Sequence, residues 1–203
     1  AAFVAAMLLF LLAPLVVAIW GFLVERLIVQ FLYGRLINTM LATWGLSLAM
    51  MGGFVMIFGN TLTGISAPIA GFPLGGYHMN GYNLFVIAVA ALTMLGLYAV
   101  MKTTRAGLIA RAAMQRSDMA QAFGYNTGRV YMLTFMAGSA LAGLAGGVLT
   151  PIFGALPAGG AQYIAKAFIT VIAGGASVVS GTLASASVFG FVSQAVTFAT
   201  TSV

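Results

Sequence analysis

Apolar residues run through this chain in long stretches separated by short polar breaks, and the lengths of those stretches predict the elements. The first, Phe3 to Val24, is interrupted only by Pro14 and ends at Glu25-Arg26. A second runs from about Leu36 to Phe58, a third from Asn83 to Met101, and a fourth from Val130 to Thr150, where Pro151 and Pro157 stop it. Each has the length at which a helix crosses a bilayer core, about 20 residues covering ~30 Å at ~1.5 Å per residue with every backbone polar group satisfied inside it. Pro14 is expected to kink the first helix rather than end it, since neighbouring helices can satisfy the freed carbonyl. Tyr163 to Ala173 is apolar but too short to cross, and Gly174-Gly175 breaks it, which predicts a half-helix or a re-entrant turn. Gly181 to Ala199 is rich in Ser, Thr and Ala and is long enough to span. Between the second and third runs, Gly59 to Tyr82 carries Pro68, Pro73 and eight glycines or asparagines, the composition of a loop with turns. The expected fold is all-α: a polytopic transmembrane helical bundle of about five to six membrane segments, one of them broken or re-entrant.

Composition agrees with that pattern. Of 203 residues, 62% are hydrophobic and only 5% charged, against about a quarter charged in a soluble domain, so a water-exposed surface cannot be built from it. Glycine, at 26 residues, would weaken soluble helices but suits membrane helices whose backbones pack closely. The net charge of +6 does not point to nucleic acid, because the basic residues are few and separated by long apolar runs. The absence of cysteine excludes disulfides, thiolate catalysis and thiolate metal sites. The chain opens at Ala1-Ala2-Phe3 and stops at Thr201-Ser202-Val203 directly after an apolar run, as a piece of a longer protein would, and residues 1 to 24 read as a true span rather than a signal peptide.

The positions of Lys and Arg orient the spans. Five of the eight, Lys102, Arg105, Arg111, Arg116 and Arg129, fall between the third and fourth runs, which makes that loop cytoplasmic. Two spans separate it from Arg26 and Arg35, so both basic loops belong on one side and the cation-free stretch from Gly59 to Tyr82 on the other.

Chemistry is defined mainly by what is missing. Ion-driven transporters keep Asp or Glu inside the bundle, whereas the two carboxylates here, Glu25 and Asp118, sit in segments expected on the cytoplasmic side. There is no G-x-x-x-x-G-K-[ST] phosphate loop, so any ATP hydrolysis belongs to another chain. Hydrolysis within the membrane would need a base beside a nucleophile, and the one histidine, His78, lies in the outer loop. No metal-ligand spacing and no cofactor motif are present, so catalytic residues, metal sites and cofactors are all read as none. The chain reads as a transport subunit, either a passive channel or a pathway that borrows energy from a partner.

Thr39, Thr43 and Ser47 recur every four residues on one face of the second span. They line a polar path or bond to a neighbouring helix. Ser139, Gly143 and Gly147, with Gly138, Ala142 and Gly146, make a small-residue stripe suited to close helix packing. Gly174 and Gly175, with Ser177, form either an unwound segment that meets substrate or a simple turn. Lys166, the one cation inside an apolar run, can snorkel to the interface. Ala110 to Phe123 is alanine-rich with long side chains and is closed by Gly124, which predicts a short helix with a glycine stop. It rests on anionic lipid or on a partner.

At this stretch the chain resembles a known family. Thr104-Arg105-Ala106-Gly107-Leu108, then Arg111-Ala112-Ala113-Met114-Gln115-Arg116-Ser117-Asp118-Met119-Ala120, then Gly124-Tyr125-Asn126 resemble the cytoplasmic coupling loop of ABC import permeases of the branched-chain amino acid and urea type. Glu25-Arg26-Leu27, Leu41 to Ser47, Thr134-Phe135, Gly138 to Gly147 and Ala167 to Thr182 extend the resemblance over nearly the whole chain. The resemblance implies a single permease domain over 1–203, with a coupling loop at 102–129, truncated relative to the family. It implies that Arg111, Ala112, Ala113, Arg116, Asp118, Ala120 and Gly124 couple to cytoplasmic ATPase subunits. A second homologous permease and a periplasmic substrate-binding protein complete the expected assembly in the bacterial inner membrane. The substrate it implies is a branched-chain amino acid, urea or another amide, with Thr39, Thr43, Ser47, Gly174 and Gly175 as pathway candidates.

Overall fold

Long apolar runs form helices in this chain because a helix satisfies every backbone polar group within the one segment, without water. The computed structural model describes residues 2–32, 34–59, 72–74, 77–79, 81–154, 159–175 and 180–201. Helix α1 (Ala2–Leu27) passes through Pro14 without ending and is followed by a single 3-10 turn, Val29–Phe31. Helices α2 (Leu36–Phe58) and α3 (Gly81–Thr103) follow, then two short helices, α4 (Arg105–Gln115) and α5 (Ser117–Ala122). Helix α6 (Thr127–Phe153) carries Pro151 in its last turn, so the proline sits inside the helix instead of stopping it. Helices α7 (Gly159–Gly174) and α8 (Ser180–Thr201) complete the described chain. Five of these, α1, α2, α3, α6 and α8, are long and apolar enough to cross a membrane, and the 16-residue α7 is not among them. The chain is a multi-pass helical membrane protein, as the run lengths predict.

Most of the turn-rich stretch after α2 lies outside the described residues, as do Ser177 and Pro157. Within that stretch two short strands, β1 (Phe72–Leu74) and β2 (Tyr77–Met79), pair antiparallel with Pro73 opposite His78. The sequence reads as loop there.

The bundle is organised around α1 and α6, which run antiparallel. Gly21 packs on the Ser139 side chain, and Gly143 leaves no room for a Cβ beside Val17 and the Ala13 carbonyl. Gly143, Gly147 and Val148 are buried along this seam. In lipid, helices gain little from hydrophobic burial against one another, so van der Waals contact between closely approaching backbones holds them. The stripe Ser139-Gly143-Gly147 therefore packs as expected. Gly138 and Gly146 do not contribute, since an added Cβ at either would meet nothing within 4 Å.

Helix α3 joins the seam at its start. Tyr82, fully buried, donates from its hydroxyl to the Val148 carbonyl at 2.8 Å, and Phe85 stacks tilted against Phe10 at 5.4 Å between ring centroids. Tyr82→Phe is expected to lower stability by about 1 kcal/mol, since it leaves a buried carbonyl without its donor while the ring stays packed. Thermal unfolding in detergent measures it, and an unchanged midpoint would show that the bond contributes nothing. Because α1 and α3 both run antiparallel to α6, Arg26, Lys102 and Arg129 gather at one end of the bundle, where both basic loops were expected to share a side.

Candidate functional site

The basic end is closed by α4 and α5, and local chemistry explains their shape. Thr104 caps α4, its hydroxyl accepting from the Gly107 backbone N–H at 3.1 Å. The chain then turns sharply back on α3, because a Cβ on Gly107 would meet the Met101 backbone at 2.5 to 2.8 Å. Arg116, in extended conformation, separates the two helices, so the single helix expected from Ala110 to Phe123 starts earlier and is broken in the middle. Gly124 ends α5 with φ +84°; its N–H bonds the Gln121 carbonyl, and the Tyr125 N–H reaches back to Ala120. That double bond pattern is the Schellman stop, and the glycine is needed there for its positive φ.

Three side chains tie this cap to the spans. The Arg111 guanidinium donates to the Met101 carbonyl at 2.9 Å and to Gly107 at 3.3 Å. Met101 is in the last turn of α3, where carbonyls lack helical partners and a cation is favoured by the helix dipole. The Tyr131 hydroxyl, on α6, donates to the Ala113 carbonyl at 3.3 Å, and the Gln121 side-chain amide donates to the Thr127 hydroxyl at 2.9 Å. Gly107, Ala110, Ala113 and Ala120 form the buried inward face.

The residues singled out for coupling therefore separate. Ala113 and Ala120 are buried against the bundle and Arg111 clasps α3, whereas Ala112, Arg116 and Asp118 are exposed. The cap also exposes large apolar side chains that charge-based reasoning passes over: Leu108, Met114, Met119 and Phe123, the last 81% exposed. Large apolar residues within an otherwise charged loop were the available signal.

Between α2 and the α1–α6 pair lie two connected groups of lining residues. A cleft of about 590 Å³ toward the basic end is lined by Val29, Thr39, Tyr131, Thr134, Gly138 and Ser139 among others. A central cleft of about 470 Å³ includes Thr43 and Ser47 of α2, Ser139 of α6, Trp20 and Met50, with Gly160, Ala161 and Ile164 of α7. The stripe Thr39-Thr43-Ser47 thus faces both clefts, and Ser139 borders both. The interhelical bonding considered for the stripe is not what Thr39 and Thr43 do. The Thr39 hydroxyl donates to Leu32 and Arg35 carbonyls, both at 3.0 Å, and Thr43 to Thr39 at 2.9 Å and Met40 at 3.1 Å. Their oxygens remain able to accept from a solute.

Gly174 and Gly175 are not among the residues lining either cleft. Gly174 packs on the Gly181–Thr182 backbone, where a Cβ would meet the Thr182 nitrogen at 2.7 Å, and Gly175 takes φ +62°. With the Ser185 hydroxyl donating to Thr170 at 2.7 Å, α7 and α8 form a tight hairpin. Glu25 lies beside Arg26 near the end of α1, at the basic end where it was expected, and is 3% exposed. It lines neither cleft. Among the described residues there is no group of three or more His, Cys, Asp or Glu able to hold a metal.

Comparison with known proteins places this geometry. The profile of the family described as branched-chain amino acid transport system / permease component matches residues 1–203. The chain is 31% identical over 110 residues to the probable branched-chain amino acid transport permease protein LivH of Methanocaldococcus jannaschii, covering 54% of this chain and 35% of that protein. It is 35% identical over 96 residues to the high-affinity branched-chain amino acid transport system permease protein LivH of Escherichia coli K12, covering 47% of this chain and 31% of that one. With the corresponding BraD of Pseudomonas aeruginosa it shares 27% over 178 residues, 83% of this chain and 58% of the relative. The matches thus span from about a third to just over half the length of these curated relatives. No solved structure matches.

Proposed function

Since the chain belongs to the family of permease components of branched-chain amino acid transport systems, we propose that it is the pathway-forming part of an ABC importer. It moves a branched-chain amino acid, or a urea-like amide, inward through the inner membrane, driven by ATP hydrolysis on a partner. In this reading residues 1–203 act as one permease domain, paired with a second homologous permease and supplied by a periplasmic substrate-binding protein. The loop 102–129 meets the ATPase subunits on the cytoplasmic side.

The observation that carries the reading is the exposed apolar face of α4–α5 at the basic end. Large apolar side chains exposed at the end where the charge pattern places water support an interaction surface there. The helices that display them are held to α3 and α6 by Arg111, Gln121 and Tyr131, so force on the face passes into the spans. Arg116 and Asp118 flank it and suit the rim of a protein contact. Behind it, hydroxyls of Thr39, Thr43, Ser47 and Ser139 among apolar walls offer hydrogen-bond acceptors without net charge, which fits a small solute carrying an aliphatic body and polar ends.

The full-length permease, reconstituted in liposomes with its ATPase and binding protein, is expected to accumulate labelled leucine against a gradient only when ATP is hydrolysed. Unlabelled urea in excess distinguishes the two substrate classes by whether it competes. Equilibrating flux through the permease alone, with no dependence on ATPase, would establish a passive channel and overturn the proposal.

A further inference from the structure

Tyr131 belongs to two structures at once. It lines the cleft at the basic end beside Thr39, Thr134 and Ser139, and its hydroxyl is bonded to the Ala113 carbonyl of α4. We propose that Tyr131 is a gate for the inner end of the pathway, a positioning residue through which movement of the coupling helices sets the width of that cleft. The inference rests on the importer reading above.

The bond is not incidental to the fold of the cap. Helix α4 ends at Gln115 because Arg116 is extended, so the Ala113 carbonyl falls in the last turn and has no helical partner. Ala113 is 2% exposed, which leaves water little access to that carbonyl. A buried carbonyl without a donor is costly, so the Tyr131 hydroxyl follows α4 when α4 moves. The ring must then swing with it, in or out of the gap between α6 and the Val29–Thr39 side of the cleft.

The second tie, Gln121 to Thr127, holds α5 at the first residue of α6, one turn from Tyr131. It fixes the end of α6 to the cap, so a displacement of α4 relative to α5 is taken up at the tyrosine. The third, Arg111 to Met101, anchors α4 to α3, a helix that does not line this cleft. Of the three ties, only Tyr131 reaches the pathway side.

The test exploits the absence of cysteine from this chain. Ala142, on the same helix and lining the same cleft, lies eleven residues beyond Tyr131, roughly 16 Å deeper from the basic end at ~1.5 Å per residue. An Ala142→Cys thiol in the assembled transporter therefore reports access past the gate to a membrane-impermeant maleimide added on the ATPase side. Its labelling rate is expected to differ between nucleotide-free and ATP-trapped states. Tyr131→Phe, which keeps the ring and removes the bond, is expected to reduce that difference about fivefold, and transport per ATP by a similar factor, the worth of one hydrogen bond. Tyr131→Ala is expected to label fast in both states. Bound ATPase and the unfolding midpoint, measured on each variant, identify any loss that comes from misfolding, and Tyr131→Phe is the variant that decides if alanine fails to fold. Wild-type labelling contrast and wild-type transport per ATP in Tyr131→Phe overturn the gate alone. A parent transporter that binds no ATPase and shows no nucleotide-dependent labelling overturns the importer reading, and the gate with it.

Discussion

Gly143→Leu is expected to take the α1–α6 pair apart. A Cβ at this position would stand 2.7 Å from the Val17 Cβ and 2.8 Å from the Ala13 carbonyl oxygen, and the second of these is backbone that no rotamer change can move aside. The helices must separate, and everything on the seam separates with them: the Gly21–Ser139 contact, buried Gly147 and Val148, and the Tyr82 hydrogen bond that hangs α3 on Val148. Overpacking of this kind costs about 1–3 kcal/mol, and lost contact along the seam adds to it, because no hydrophobic force between helices compensates in lipid. A loss of ~3 kcal/mol corresponds to a fall of about 6–12 °C in the unfolding midpoint for a chain of this size. Gly146→Leu is the control, three residues on and with open space at its Cβ. It is expected to behave as the parent does. Equal destabilisation by the two substitutions, measured by thermal unfolding in detergent, would remove the seam as the organising contact.

That contrast shows how far the fold could be read from the chain. Run lengths alone placed the long helices, because in lipid length and apolarity are the physical requirement itself. The stripe of small residues on α6 announced a close contact but did not say which glycines make it, since Gly138, Gly143 and Gly146 look alike until α1 is laid against one side of them. Its partner Gly21 sits in an apolar run that gives no sign of a crossing. Pro151 misled in the opposite direction: a proline in a last turn costs one hydrogen bond at a helix end, where α6 can absorb it. The β1–β2 hairpin was hidden by a composition that also makes irregular turns.

The site was legible by position rather than by role. Charge placed the cap between α3 and α6, and the four-residue period of Thr39, Thr43 and Ser47 brought a hydroxyl stripe to the clefts. Glu25 sits at the end of α1 where charge put it, but its burial, to 3% exposed, has no sign in the sequence. The division of labour on α4 and α5 needed coordinates. Arg111 and Arg116 are equivalent in sequence, yet one closes α3 and the other faces out.

Reversing the character of that outward face is expected to have the larger functional effect. Phe123→Glu combined with Met119→Glu replaces two exposed apolar side chains by carboxylates without touching the buried face of Ala113 and Ala120 or the ties through Arg111, Gln121 and Tyr131. Both positions are open to solvent in the isolated chain, so the unfolding midpoint should hold. Under the proposed function they become the apolar centre of the contact with the ATPase. If each is a hot spot worth about 2 kcal/mol or more, the pair weakens association with the ATPase by on the order of a thousandfold. Arg116 and Asp118 at the rim carry little by comparison, and Asp118→Asn should change affinity by about threefold at most. The measurement is a titration of solubilised permease with purified ATPase, accompanied by vesicle flotation with anionic lipid. Retained ATPase affinity with lost vesicle binding would mean that α4 and α5 rest on lipid, and would reassign the face. Lost ATPase affinity with intact insertion and an unshifted midpoint is the outcome that a docking surface requires. Phe123 bears on it most directly, because it stands beside the positive-φ turn at Gly124 with its side chain 81% exposed.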